Sequence, residues 1–308
     1  MPWLRQADGS WMVRGYHEVI AALREPRLAP GPGDLRERAH YPPLQSGVAL
    51  QRVTLCAWQA LGPGEVELVS RMGRSFGATA AASVLGISEA EVRALSPLAE
   101  VVWRESAMAT SSAVSSVARD ATSALAAAFN DQATTHVQAF VALTHSLPAL
   151  VSNVMVHSLT ANPLWPAADD RSLPVGASRV LVDEWLRCCA PVRYVFRQVG
   201  RRLVVNGESI EPGTSVTVDI ESANCDASVF PEPHRVLPEG RRIPHVAFGV
   251  APHACRGAGT VQLALAAFLE AWWAFRESHR LTLLSTETEA GFVAMRAWQR
   301  VQLRVEVA

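Results

Sequence analysis

The sequence predicts a mainly α-helical fold with small β-sheets near both ends of the chain, as a single domain over residues 1–308. Three observations carry this. Apolar residues recur at helical spacing through most of the middle of the chain. Short extended runs bounded by turn residues occur near both termini. Neither an internal repeat nor a linker divides the sequence.

The elements follow in order. Trp3 to Gln6 and Trp11 to Arg14 are extended runs, and Asp8-Gly9 between them is a hairpin turn signal. A helix follows with Val19, Ile20 and Leu23 on one face, ending before Pro26, and Pro30 to Pro32 is a loop. From about Leu44 to Ala127 the pattern is helical, broken once by Gly62-Pro63-Gly64. A long helix is expected from about Thr134 to His157, with a kink at Pro148, which cannot donate to the carbonyl of Thr144 and crowds it. Another covers about Ser178 to Cys189. Arg202 to Val205 is extended, Asn206-Gly207 and Glu211-Pro212-Gly213-Thr214 are turns, and Val216, Val218 and Ile220 alternate as in a strand. Asp226 to Arg242 is a long irregular loop. A helix from about Ala258 to Arg276 follows, and Leu281 to Leu284 and Val301 to Val307 close the chain as strands.

Composition narrows the class. Net charge is −1, which gives no reason to expect nucleic acid as a partner. All 28 basic residues are arginine, which with the high alanine content is the composition of a GC-rich bacterial coding sequence. Arg5 and Asp8 interrupt any apolar leader, and no apolar stretch reads as long enough to span a bilayer; the longest, Leu263 to Phe275, contains Glu270. The five cysteines are odd in number and two are adjacent, which argues against a disulfide framework. The default expectation is a cytoplasmic protein with no membrane association.

One segment carries chemistry. Phe248-Gly249-Val250-Ala251-Pro252-His253-Ala254-Cys255-Arg256-Gly257 lies just ahead of a strongly apolar helix. A cysteine there sits at the positive end of the helix dipole, where the thiolate is favoured over the thiol. A thiolate on heme iron favours O–O cleavage. Two blander readings compete: an inert buried cysteine, or a zinc site from His245, His253 and Cys255, which lacks a fourth ligand at the usual spacing. Covalent heme attachment would need Cys-x-x-Cys-His, which is absent.

This segment resembles the heme-ligand signature of the cytochrome P450 family, Phe-Gly-x-Gly-x-His-x-Cys-x-Gly. Five of the six fixed positions match, and Ala251 stands where glycine is expected, a source of strain if the turn needs positive φ. Glu184-Trp185-Leu186-Arg187 resembles the family's K-helix Glu-x-x-Arg pair, and Phe230-Pro231-Glu232-Pro233-His234-Arg235 resembles the segment whose arginine completes that network. Ala223-Asn224-Cys225-Asp226 resembles the Ala-Asn-Arg-Asp before it, with Cys225 in place of arginine.

The resemblance implies a cytochrome P450-like fold, truncated at the N-terminus and in the B–D helix region. It implies heme b (iron protoporphyrin IX) with Cys255 as axial ligand. Phe248, Gly249 and Gly257 would border it, and Arg197 and His253 would meet its propionates, with Arg52 as a further propionate arginine. In the central helix the family carries an acid–threonine pair. Thr144-His145-Ser146-Leu147-Pro148 stands there instead, so His145 and Ser146 are the expected catalytic groups, holding water with the Thr144 carbonyl.

Three functions follow from the resemblance. The first is a heme-thiolate oxidoreductase with atypical oxygen activation, acting on a small-molecule substrate in bacterial specialised metabolism and served by a ferredoxin-type electron donor. The second is a heme enzyme that uses peroxide or catalyses a non-oxidative rearrangement or cyclisation. The third is a non-catalytic helper of another biosynthetic enzyme, such as a glycosyltransferase.

Overall fold

The computed structural model describes residues 3–30, 47–109, 114–129, 133–160, 179–237, 241 and 243–308. The opening hairpin forms as expected from β1 (Trp3–Arg5) and β2 (Trp11–Val13), with Gly9 at φ 84° in the turn and Asp8 accepting the Ser10 N–H at 2.9 Å. Helix α1 (Tyr16–Arg24) buries Tyr16, Val19, Ala22 and Leu23, and β3 (Leu28–Pro30) follows.

Helix α2 (Gly47–Gln59) leads to β4 (Gly64–Glu67), so the Gly62-Pro63-Gly64 break opens a strand as well as ending a helix. A π-helical turn at Val69–Gly73 runs into α3 (Arg74–Leu85), then α4 (Glu89–Met108) and α5 (Ser116–Ala128). Helix α4 starts at a capping box: the Ser88 side chain accepts the Glu91 N–H, and the Glu91 carboxylate accepts the Ser88 N–H at 2.7 Å.

The long central helix is built from α6 (Ala133–Val141), a π-helical turn at Ala142–Ser146, and α7 (Leu147–Thr160). Pro148 has no N–H to offer the preceding turn, and the helix accommodates it by widening just ahead of the proline. Gly77 of α3 crosses at this point. A Cβ there would lie 2.6 Å from the Leu143 carbonyl oxygen and 2.6 Å from Pro148 Cγ.

Helix α8 (Arg179–Cys189) precedes β5 (Tyr194–Val199), β6 (Leu203–Val205), β7 (Glu208–Ile210) and β8 (Ser215–Asp219). The β6–β7 hairpin turns at Asn206 (φ 52°) and Gly207 (φ 84°), as the Asn-Gly pair requires. Strand β5 and the short α9 (Ile220–Asn224) were not legible as elements, since neither has a clean period. The chain ends with α10 (Ala258–Arg276) and the strands β9 (His279–Thr288) and β10 (Trp298–Val307).

Two sheets join distant parts of the sequence. One has the order β1-β2-β8-β5-β3, with β2 and β8 parallel and Trp11 opposite Val216. The other has the order β4-β10-β9. The main core gathers Trp58, Phe76, Phe140, Leu150, Trp185 and Phe268 between the helices, and a second packs α1 and Phe230 against the first sheet.

Two helices are long and apolar enough to cross a membrane, His136–Thr160 and Ala258–Arg276, which corrects the reading that no stretch is. The apolar faces of both are spent on the core: 78% of the first apolar window and 50% of the second are buried.

Candidate functional site

A cavity of about 460 Å³ opens between the central helix, α4, β5 and the loop ahead of α10. That volume falls within the range of small-molecule sites, roughly 300–1,000 Å³. Its floor is the loop 247–256. The Cys255 N–H donates to the Phe248 carbonyl at 2.7 Å and the Gly249 N–H to the Val246 carbonyl at 2.8 Å, which folds the loop back on itself. Gly249 sits at φ 65°, a conformation in which a side chain would be strained. Ala251 does not adopt positive φ, so the strain expected at that position does not arise. Gly257 is buried as the N-cap of α10, two residues after Cys255.

Cys255 is exposed and lies on the cavity wall, which removes the reading of it as a buried inert cysteine. Among the described residues no three His, Cys, Asp or Glu side chains converge as a metal site, and His245 faces Asp183 at 3.7 Å. Phe248, Gly249, His253 and Arg197 line the same cavity. Arg197 is only 2% exposed, and its Nη1 donates to the Phe196 carbonyl at 2.8 Å. Arg52 falls within α2, and its side chain lies outside the described residues.

The opposite wall comes from Ala142, Ser146, Leu147 and Leu150 of the central helix and Trp103 of α4. Ser146 is therefore on the wall and His145 is not. The His145 ring turns against Trp103 (centroids 5.3 Å apart) and its Nδ1 lies 2.9 Å from Thr144 Oγ1, which itself donates to the Phe140 carbonyl at 2.6 Å. Burial, with Arg74 nearby, holds the His145 pKa down to about 4, so its imidazole is neutral at neutral pH.

A buried ion network supports the cysteine loop from below. Arg187 Nε donates to Glu184 Oε1 at 2.9 Å, and its Nη atoms donate to the carbonyls of Asn224 and Arg235 at 2.9 Å each. The third member is Arg241, whose Nε donates to Glu184 Oε2 at 3.1 Å. This corrects the expectation for Arg235: its own guanidinium pairs with exposed Glu232, and only its carbonyl joins the network. Asn224 Oδ1 accepts the Val246 N–H at 2.8 Å, which ties the network to the start of the loop.

No family model matches the chain. Over 114 residues, 37% of the chain, it is 32% identical to cytochrome P450 119 of Sulfolobus acidocaldarius, and over 84 residues 33% identical to a steroid C26-monooxygenase of Mycolicibacterium smegmatis. The match covers 30% of the length of the first relative and 21% of the second. Solved structures agree over nearly the whole chain. P450BioI bound to an acyl-loaded acyl carrier protein aligns with a TM-score of 0.79 at 17% identity, covering 99% of this chain and 94% of that one. A thermophilic cytochrome P450 from Sulfolobus tokodaii aligns at 0.72 and 17% identity, covering 100% and 97%. The chain has the cytochrome P450 fold.

The cytochrome P450 fold implies a heme cofactor, and the donor set fits that group. A heme needs an apolar slot, a sulfur on one side and cations toward its carboxylates. The cavity offers apolar walls, the Cys255 sulfur, the buried Arg197 guanidinium and the His253 imidazole.

Proposed function

We propose that this chain is a cytochrome P450-type heme-thiolate oxidoreductase acting on a small, mostly apolar metabolite, with Cys255 as the thiolate that would hold heme b. The observation that carries the reading is the position of Cys255 at the mouth of α10, on a cavity it shares with Phe248, Arg197 and His253. When bound, the heme supplies redox and dioxygen chemistry that a thiolate ligand tunes toward O–O cleavage. The chain's own residues do the rest. The loop closed by the Cys255 N–H holds the sulfur in place. Arg197 and His253 would receive the propionate charges of the heme. Leu147, Leu150 and Val195 keep water from the reacting face, where a substrate of matching apolarity binds. Electrons come from a ferredoxin-type donor, and we place the reaction in bacterial specialised metabolism, in the cytoplasm.

A second reading has its own support. The central helix presents Ala142, Ser146, Leu147 and Leu150 to the cavity, with no carboxylate among them, and the Thr144 hydroxyl is engaged by the Phe140 carbonyl. Proton delivery by an acid–alcohol pair is then missing, which favours peroxide as oxidant or a reaction needing no oxidant. Ser146 Oγ is the group left to hold a water and pass a proton.

The test is the visible spectrum of reduced protein under carbon monoxide, for wild type and Cys255→Ala. A Soret band at the red-shifted position of thiolate ligation, lost in the variant, is the expected result. Protein that stays colourless when hemin is supplied overturns the enzyme reading and leaves a helper protein. Turnover with peroxide alone, against reductant and dioxygen, separates the first two readings, and Ser146→Ala should lower coupling while His145→Ala leaves it little changed.

A further inference from the structure

A second cavity, of about 380 Å³, lies on the other side of β5, between the ends of α7 and α8 and the short α9. Its walls are polar and their charges do not cancel. Arg14 Nε meets Asp219 Oδ2 at 3.2 Å. Arg193 Nε donates to Glu221 Oε2 at 2.7 Å, and Arg296 Nη2 donates to the other oxygen of the same carboxylate. Among the described residues lining it, three guanidiniums therefore face two carboxylates, a surplus of one positive charge.

The other titratable groups on the wall do not offset that surplus. Burial pushes the Cys188 thiol up to about 12 and raises that of Cys225, so both stay uncharged. Burial and the neighbouring Arg296 hold His157 down to about 4, so its ring is neutral. One ring nitrogen of His157 bonds the His234 backbone. The other, Nε2, is buried and has no hydrogen-bond partner. In a neutral imidazole that donates through one nitrogen, the second is an acceptor.

We infer that this cavity is a binding site for a phosphate group, separate from the site of the proposed reaction. Arg193 and Arg296 supply planar forks suited to oxyanions. The one-charge surplus suits an anion, and a phosphate group presents several oxygens to both forks. The cavity exceeds a bare ion, so a phosphate monoester of a small molecule fits as well as the free ion. Arg193 lies 5.2 Å over the Tyr194 ring, and Tyr194 lines both cavities, which gives an occupant a route to influence the first.

The experiment is isothermal titration of the full-length protein, as purified, with inorganic phosphate, phenyl phosphate and sulfate at matched ionic strength. Saturable binding of inorganic phosphate or phenyl phosphate, no weaker than that of sulfate, is expected. Tighter binding of phenyl phosphate assigns the site to a monoester, and tighter binding of the free ion assigns it to phosphate itself. Arg193→Gln removes the surplus charge and should weaken binding at least tenfold. Glu221→Gln removes the shared carboxylate and should tighten it, so the direction remains readable if the first variant fails to fold. Absence of saturable binding, tighter binding of sulfate than of either phosphate, or weaker binding in Glu221→Gln overturns the inference.

Discussion

Replacing Arg187 with alanine tests the network beneath the cysteine loop most directly. The Arg187 and Glu184 side chains are 1% and 3% exposed, so water cannot replace what is lost. Removing one partner of a buried ion pair costs about 3–5 kcal/mol. Arg241 remains on Glu184, which moderates the electrostatic part, while the carbonyls of Asn224, Pro233 and Arg235 each lose a charged donor. The expected loss is therefore about 3–5 kcal/mol, set against a total stability of roughly 5–15 kcal/mol for a domain. At roughly 2–3 °C per kcal/mol in a chain of this size, Tm should fall by about 6–15 °C. The comparison is Arg235→Ala, whose side chain and partner Glu232 are 48% and 60% exposed. Such surface pairs contribute about 0–1 kcal/mol. Urea unfolding followed by circular dichroism gives both values. Equal losses in the two variants would refute the assignment of Arg241 rather than Arg235 to the network, and a loss under about 1 kcal/mol for Arg187→Ala would refute the buried Arg187–Glu184 pairing itself.

Three further outcomes are expected. His145 and His157 are each held down to about 4, below the unfolded value near 6.5. Between those limits the unfolded chain binds more protons, so stability should fall as pH drops from 6.5 toward 4. Each histidine contributes about 1.4 kcal/mol per pH unit within that window; a flat urea midpoint from pH 7 to 5 would contradict this. Gly77→Ala should destabilise by about 1–3 kcal/mol through its clash with Leu143 and Pro148. Alanine is the better helix former by about 1 kcal/mol, so a raised Tm would show that the close crossing is not there. Cys255→Ala, with the cysteine exposed on the cavity, should leave Tm of heme-free protein within about 1 °C while abolishing the thiolate spectrum.

Much of the fold was legible because its signals are local. The Asn206-Gly207 turn follows from backbone preferences of two adjacent residues, and α10 from one apolar period ended by its caps. Strand β4 was not legible, because its four residues are extended only by pairing with β10 some 240 positions away, as in Leu303 opposite Val66. Strand β5 and α9 were missed for the same reason, since their residues take their conformation from the sheet and network around them. The π-helical turn ahead of Pro148 is the form its expected kink takes, selected by the packing of Gly77 against it.

The site divides along the same line. Cys255, its flanking glycines and the Glu184–Arg187 pair are set by chain-local spacing, and the sequence alone marked them. Whether Arg235 or Arg241 reaches Glu184, and whether His145 or Ser146 faces the cavity, depends on how an irregular loop and a widened helix settle against their neighbours. The Arg193–Glu221–Arg296 cluster leaves no trace in sequence order, because its members come from three segments. Propensity and period act between residues a few positions apart. Burial and charge pairing act between residues a few ångströms apart, and only the folded chain fixes which those are.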